Sequence, residues 1–218
     1  MALPRNLPNL ITGSRLLMAV ALFVILGLIG ESRGATGGFL AQVAAGERLL
    51  LKVCLVIFVA AGITDILDGH IARRWGLQTD FGRIVDPFAD KVIVCGAFVL
   101  LVPLPESRVP AWTVVVILAR ELLVDGIRGF AESRGVAFPA LVSGKVKMLS
   151  QCVCVSWVFG AMSILRDHAW AQTTSLVMVL VVAAITVASG IDYLLHARRV
   201  LGADQLAKLT PPRAVEAR

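Results

Sequence analysis

The stretch DILDGHIARRWGLQTDFGRIVDPFAD, residues 65–90, places five aspartates in one short segment of an otherwise apolar chain. Asp65 and Asp68 are three residues apart, and Asp86 and Asp90 are four residues apart. At these spacings, side chains lie on the same face of an α-helix. The stretch therefore predicts two helices, each carrying a pair of carboxylates on one face.

The composition of the whole chain indicates a membrane protein. The 218 residues are 57% hydrophobic, the mean hydropathy is +0.82, and charged residues make up 17%, below the roughly 25% usual in soluble domains. The net charge of +6 fits basic residues retained on the cytoplasmic side of a membrane. No basic stripe interleaved with aromatic residues stands out, so we expect no nucleic-acid partner.

Six apolar runs have about the 20 residues that a bilayer-spanning helix needs. The sequence therefore predicts an all-α integral membrane protein with six transmembrane helices, in a single domain over residues 1–200. Residues 31–47 are predicted to be a loop with one short helical turn, and residues 201–218 a polar, disordered tail. The six predicted spans are 10–30, 48–73, 83–103, 109–131, 145–165 and 172–196.

The distribution of basic residues predicts how these spans are oriented. One set of helix ends collects Arg5, Arg73, Arg74, Arg83, Arg128, Arg134, Lys145, Lys147, Arg198 and Arg199; the other has Arg33, Arg48, Lys52, Arg108 and Arg166. The positive-inside rule puts the first set, and with it both termini, in the cytoplasm. We interpret the first run as a span and not as a signal peptide, because no small-residue cleavage site is clear.

The two aspartate pairs are predicted to meet. A short connection makes their helices antiparallel neighbours, and at 1.5 Å per residue both pairs lie at a similar depth near the cytoplasmic surface. A charged residue costs about 2.5–3.5 kcal/mol at the centre of an inserted helix, so a partner is needed. Lys91, Arg73 and Arg83 could supply ion pairs, but a hard divalent cation with oxygen ligands and open positions for phosphates fits better. Asp80, between the pairs, is expected to be a solvated loop acid or an N-cap.

The aspartate stretch resembles the signature of the CDP-alcohol phosphotransferases. The matching pattern is Asp65-x-x-Asp68-Gly69-x-x-Ala72-Arg73, then eight residues, then Gly82-x-x-x-Asp86-x-x-x-Asp90. The resemblance implies a cytoplasm-facing polar cavity and a homodimer. It also implies one or two Mg²⁺ or Mn²⁺ ions bound by Asp65, Asp68 and Asp86, with Asp90 a ligand, the general base, or both. The cytidine diphosphate end of the substrate would be held by Gly69, Arg73 and Thr79, with Ala72 and Gly82 leaving room for it.

Other segments are similar to one branch of that family, the bacterial phosphatidylglycerophosphate synthases. These segments are PNLITGSR (8–15), DPFADK (86–91), ARE (119–121) and GKVK (144–147). The branch implies transfer of a phosphatidyl group from CDP-diacylglycerol to sn-glycerol 3-phosphate in the cell inner membrane. Met148 departs from the threonine common in the branch. The aspartate signature also fits a cardiolipin synthase, with phosphatidylglycerol as acceptor, or a synthase that uses inositol phosphate.

A phosphorylated acceptor needs cations, and the fourth and fifth spans supply Arg120, Arg128, Lys145 and Lys147 near their cytoplasmic ends. Arginine gives bidentate contacts to phosphate. The alternatives are positive-inside anchoring and, for Arg120, a structural pair with Glu121. We also expect Arg15 and Thr12 to line the nucleotide side.

Intramembrane acids also occur in ion-coupled transporters, but these favour internal repeats and a midplane site, neither of which is evident.

The four cysteines lie in apolar runs, and Cys152-x-Cys154 is not a usual zinc or redox spacing. We expect them to be small buried hydrophobic residues.

Overall fold

The computed structural model describes the backbone of residues 7–33, 37–75, 80–136, 138–139 and 141–209, and the side chains of 13–33, 37–64, 88–136, 138–139 and 141–200. This part of the chain forms helices and no strand, which confirms the all-α part of the predicted class. A single 3₁₀ turn, Pro105–Ser107, precedes the fifth helix. The helices are α1 (Leu7–Ser32), α2 (Gly38–Ala45), α3 (Glu47–Trp75), α4 (Asp80–Leu101), α5 (Ala111–Ser133), α6 (Val142–Ser163) and α7 (Ala169–Leu209).

The six long helices coincide with the six predicted apolar runs. Within the described residues, three spans are long and apolar enough to cross a membrane: Gly13–Ser32, Val142–Ser163 and Ala169–Val200. Large apolar side chains also point outward from the bundle, and Leu122 is 73% exposed. Soluble monomers rarely expose extended apolar surface. The outer surface is therefore suited to lipid.

The structure corrects two predicted boundaries. The loop predicted over 31–47 contains α2, an eight-residue helix that packs on α1 and α3 and buries Val43, so it is more than a single turn. Helix α7 continues past residue 200 to Leu209, into the predicted disordered tail. The helix continues because the first proline after its start is Pro211. A proline disfavours helical geometry in the residue that precedes it.

The six long helices pack in a closed ring whose order is α1, α3, α6, α7, α5 and α4. Leu22, Phe98 and Phe159 are fully buried in the core, and the rings of Phe58 and Phe159 meet edge to face at 6.0 Å. Gly96 of α4 lies against the ring of α1 residue Phe23, where a side chain would collide. Small residues at such contacts let helix backbones approach closely in membrane bundles.

Four charged residues close one end of the bundle; we call them the ion-pair square. Arg33 lies 2.8 Å from Glu47 and 2.7 Å from Glu106, and Arg166 lies 2.9 Å and 3.1 Å from the same two carboxylates. The square joins the end of α1, the start of α3, the 3₁₀ turn and the α6–α7 connection. Each carboxylate therefore holds two arginines from different parts of the chain.

The square shifts the ionisation of its members. Burial favours the neutral form of Glu106, but hydrogen bonding and charge from Arg33, with the charge of Arg166, outweigh it and lower the pKa of Glu106. A hydrogen bond to Glu47 raises the pKa of Arg166. Because the folded pKa of Glu106 lies below its unfolded value, its stabilisation is complete at neutral pH. The stabilisation is lost as the pH falls through the folded pKa.

We predict that Glu106→Gln lowers the thermal midpoint of the detergent-solubilised protein at pH 7 by several degrees. The reason is the loss of charged hydrogen bonds, which contribute about 1–3 kcal/mol. The variant should also lose less stability than the wild type when the pH is lowered from 7 to 3. Asp192→Asn is the matched control, because Asp192 is an exposed carboxylate far from the square that accepts a hydrogen bond from Ser143. An exposed contact contributes little, at most about 1 kcal/mol even for an ion pair, so equal losses in both variants would contradict a stabilising square.

Candidate active site

A cavity of about 300 Å³ opens between α4, α5, α6 and α7, toward the helix ends opposite the ion-pair square. Among the described residues, its charged lining comprises five cations and three carboxylates, an excess of two positive charges. That excess matches a phosphate monoester dianion. The charged residues of this polar cavity are Lys91, Arg120, Arg128, Lys145 and Lys147, with Asp90, Glu121 and Asp125.

The buried centre of the polar cavity is a cluster of three charges. Glu121 accepts a hydrogen bond from the ammonium of Lys147, and its Oε1 lies 3.4 Å from Nη1 of Arg120. All three side chains are nearly inaccessible, with Lys147 only 5% exposed. Burying an unpaired charge is costly, so the carboxylate allows both cations to stay inside the bundle. The Arg120–Glu121 pair considered from the sequence is present, and Lys147 belongs to it.

Three contacts with helix α7 hold the side chain of Arg120 in place. Nη2 of Arg120 donates a 2.7 Å hydrogen bond to the hydroxyl of Ser189. The next residue, Gly190, leaves room for the stem, because an added Cβ would lie 3.3 Å from Cγ of Arg120. The guanidinium carbon lies 5.0 Å from the centre of the Tyr193 ring, at cation–π distance. These three contacts fix the arginine in one position.

Tyr193 of α7 connects both arginines of the polar cavity. Its hydroxyl accepts hydrogen bonds from Nη2 of Arg128 at 2.9 Å and from the backbone N–H of Leu141 at 3.0 Å. The guanidinium carbon of Arg128 lies 5.5 Å from the ring centre. Gly144 must be small here, because an added Cβ would lie 2.8 Å from the phenol oxygen.

Sequence reasoning missed Tyr193 and Ser189, although one signal was available. Tyr193 is the single tyrosine of the chain, and it stands in an apolar helix where a hydroxyl needs a partner. Its contacts with Arg128 and Leu141 join residues more than 50 positions apart. Such pairings cannot be read from helical spacing.

Asp90 is the one member of the predicted aspartate set whose side chain the structure describes. Its Oδ1 accepts a 2.5 Å hydrogen bond from Nη1 of Arg15, a buried residue of α1. Lys91, considered from the sequence as a partner of the aspartate cluster, forms an ion pair with Asp125 of α5. Asp90 is therefore oriented by α1, and its neighbour Lys91 by α5.

A second, mostly apolar groove of about 460 Å³ lies between α1, α3, α4 and α6. Phe58, Ile93 and Leu149 contribute to its lining. The groove and the polar cavity share the lining residues Asp90, Val94, Lys145 and Met148. The carboxylate of Asp90 therefore lies where an apolar groove meets a cationic cavity.

The structure thus brings together Asp90, Arg120, Arg128, Lys145 and Lys147 around one cavity, and their roles in binding and catalysis stay predictions. The other predicted ligands of metal and nucleotide fall on α3, α4 and the segment between them, and their side chains lie outside the described residues, so their roles stay predictions. They are Asp65, Asp68, Gly69, Ala72, Arg73, Thr79, Gly82 and Asp86, together with Thr12 of α1.

The predicted cysteine environment agrees in part with the structure. Cys54 and Cys154 are buried, whereas Cys95 and Cys152 are half-buried, and all four are free thiols. Cys95 lines the polar cavity, and Cys152 lines the apolar groove.

The chain is similar to proteins named CDP-diacylglycerol–glycerol-3-phosphate 3-phosphatidyltransferase. It is 36% identical to that of Bacillus subtilis over 154 residues, which cover 69% of this chain and 75% of the relative. It is 34% identical to that of Mycoplasma pneumoniae over 153 residues, covering 69% of the chain and 66% of the relative. It is 34% identical to that of Escherichia coli over 145 residues, covering 66% of the chain and 77% of the relative.

A profile of the CDP-alcohol phosphatidyltransferases matches residues 5–191, which include the first five long helices, most of the membrane-spanning part of α7, the aspartate stretch and every lining residue of the polar cavity except Tyr193. This match covers most of the chain and agrees with the signature seen between Asp65 and Asp90. The chain belongs to the CDP-alcohol phosphatidyltransferase family.

Proposed function

We propose that this protein transfers the phosphatidyl group of CDP-diacylglycerol to sn-glycerol 3-phosphate, giving phosphatidylglycerophosphate and CMP in phospholipid biosynthesis. The observation that carries the proposal is the position of Asp90, where the apolar groove meets the cationic cavity. The reaction joins a lipid to a small phosphorylated alcohol, so its reacting atoms must lie where two such environments meet. The names of the relatives support the same pair of substrates.

The polar cavity suits a small anionic acceptor. Arg120 and Arg128 offer guanidinium groups that are already held in place by Ser189 and Tyr193. Because these side chains are fixed before the acceptor arrives, little side-chain entropy is lost on binding. A phosphate on the acceptor would be bound by these arginines, with Lys145 and Lys147 nearby. Phosphatidylglycerol, the acceptor of a cardiolipin synthase, would bring two further acyl chains to a cavity of about 300 Å³.

The donor would lie with its diacylglycerol part in the apolar groove and its cytidine diphosphate end toward α3 and the start of α4. Gly69, Ala72, Arg73, Thr79 and Gly82 would hold that end.

The four aspartates of the signature would form an oxygen donor set that suits Mg²⁺ or Mn²⁺. Asp90 fits this role, because its carboxylate lines both cavities and is oriented by Arg15. One or two ions held by Asp65, Asp68, Asp86 and Asp90 would screen the charge of the diphosphate and of the leaving group.

The residues of the chain would carry the remaining steps. Asp90 would accept the proton of the acceptor hydroxyl while the oxygen of that hydroxyl attacks the phosphorus attached to diacylglycerol. The bond from that phosphorus to the oxygen of CMP then breaks, and Arg73 would hold the departing phosphate. The basic residues of the polar cavity keep the acceptor in line for the attack, and positioning of this kind supplies much of the rate in phosphoryl transfer.

The proposal includes the arrangement in the membrane. The six long helices would all span the cell inner membrane, with the polar cavity and both termini on the cytoplasmic side, where water-soluble acceptors are found. The ion-pair square would then face the other side. A homodimer is the proposed assembly. An ion-coupled transporter is the remote alternative, and no observation in the described residues favours it.

One assay tests the reaction. Purified protein is given CDP-diacylglycerol and Mg²⁺ or Mn²⁺, and CMP release is measured separately with glycerol 3-phosphate, inositol phosphate and phosphatidylglycerol. We expect release with glycerol 3-phosphate, loss of release in EDTA, and recovery when the divalent cation is returned. Release only with another acceptor would contradict the proposed substrate, and unchanged release in EDTA would contradict the metal.

The role of Asp90 is tested by Asp90→Asn, which keeps the shape of the side chain but removes its ability to accept a proton. We predict that CMP release falls by about 10²–10⁴-fold, the range of a general base, while the thermal midpoint stays near that of the wild type. Asp125→Asn is the control, because Asp125 lines the same cavity but pairs with Lys91 at its exposed rim. A comparable loss in both variants would point to the charge of the cavity and not to Asp90.

Tyr193→Phe tests the positioning of the arginines. The substitution keeps the ring but removes the hydroxyl that holds Arg128 and the N–H of Leu141. We predict that KM for glycerol 3-phosphate rises by about 5–10-fold, corresponding to about 1 kcal/mol, the net contribution of a typical hydrogen bond, while KM for CDP-diacylglycerol is unchanged. Ser175→Ala removes another buried hydroxyl of α7, one bonded to the carbonyl of Ala171, and should leave both constants unchanged. Equal changes in the two KM values would exclude this role.

A further inference from the structure

The polar cavity contains a neutral polar side chain, that of Gln151, which has no role in the reaction proposed above. Gln151 lies on α6 one helical turn beyond Lys147, farther from the open helix ends, and is only 1% exposed. It lines the cavity together with Glu121 and Cys95. Its Nε2 has no hydrogen-bond partner among the described residues.

An unsatisfied amide is costly at this position. A buried polar group without a partner costs about 1–3 kcal/mol in proteins. The next inward-facing residues of α6, Cys154, Val155 and Val158, are fully buried and apolar. An apolar residue at position 151 would continue this surface at no such cost. The amide is therefore best explained by a ligand that enters the cavity.

The chemistry of the cavity indicates which part of a ligand would meet the amide. Arg120, Arg128, Lys145 and Lys147 supply positive charge for a phosphate, and Asp90 lies at the junction for a reacting hydroxyl. A neutral amide both donates and accepts hydrogen bonds, as a hydroxyl does. Gln151 thus complements a hydroxyl group that neither carries charge nor reacts.

We infer that the side-chain amide of Gln151 donates a hydrogen bond to the non-reacting C2 hydroxyl of the acceptor and so selects polyol phosphates. This inference rests on the proposed function, in which glycerol 3-phosphate carries one such hydroxyl. It makes Gln151 a specificity-determining residue. Acceptors without the hydroxyl would leave the buried donor unpaired, which is how sites built for a hydroxyl reject analogues that lack it.

The test compares two acceptors in two proteins. The acceptors are glycerol 3-phosphate and 3-hydroxypropyl phosphate, which lacks only the C2 hydroxyl. The proteins are the wild type and Gln151→Met, which has a similar length but no amide. We expect the wild type to prefer glycerol 3-phosphate by about 10–100-fold in kcat/KM, and Gln151→Met to reduce this preference to within about threefold. KM for CDP-diacylglycerol should not change.

Gln172→Met is the matched control, because Gln172 contacts Arg108 at the opposite end of the bundle. Its acceptor preference should equal that of the wild type. Gln151→Leu serves as a second variant if the methionine variant does not fold, and the same loss of preference is expected. An unchanged preference in a folded Gln151 variant, with a wild type that uses glycerol 3-phosphate, would overturn only the role of Gln151. A wild type that releases no CMP with glycerol 3-phosphate would overturn the proposed function itself.

Discussion

The carboxylate of Glu121 compensates the buried positive charge on which the polar cavity depends. Lys147 and Arg120 are both nearly inaccessible, and each lies within reach of this one anion. In a bundle whose outer surface is apolar, an arginine without such a partner would be driven to the surface, and a lysine would be driven there or would lose its proton. Because Glu121 holds both cations, the cavity can present positive charge at a depth where water is scarce. The acceptor site is therefore built around an acid.

The two ends of the bundle use charge in different ways. In the ion-pair square, two arginines and two carboxylates satisfy one another, and the result is a closed structural contact. In the polar cavity, cations outnumber acids, and the arginines are held by neutral partners such as Ser189 and Tyr193 as well as by Glu121. Neutral partners fix an arginine without cancelling its charge. The first arrangement stabilises the fold, and the second leaves charge available to an anion.

The sequence predicted most of the helical architecture and part of the site. Helix positions followed from apolar runs, because the thickness of a bilayer sets the length of a span. The aspartate stretch and the cluster of basic residues followed from residue type and spacing. The α2 helix was predicted as a single turn because its apolar residues are too few to stand out. The extension of α7 was missed because Asp204, Gln205 and Lys208 interrupt its apolar run. Ser189 and Tyr193 were missed because their hydrogen bonds join distant helices, which one sequence does not encode as a local pattern. Gln151 was missed because its burial beside the cavity depends on how distant helices pack.

The ion-pair square also has an electrical consequence. A membrane potential changes the energy of a group by about 2.3 kcal/mol per elementary charge per 100 mV, in proportion to the net charge. The two arginines and two glutamates of the square cancel, so the potential exerts no net force on it. In a membrane, the potential would therefore exert no net force on the four segments that the square joins. An unpaired arginine at any one of these positions would make that segment sensitive to voltage.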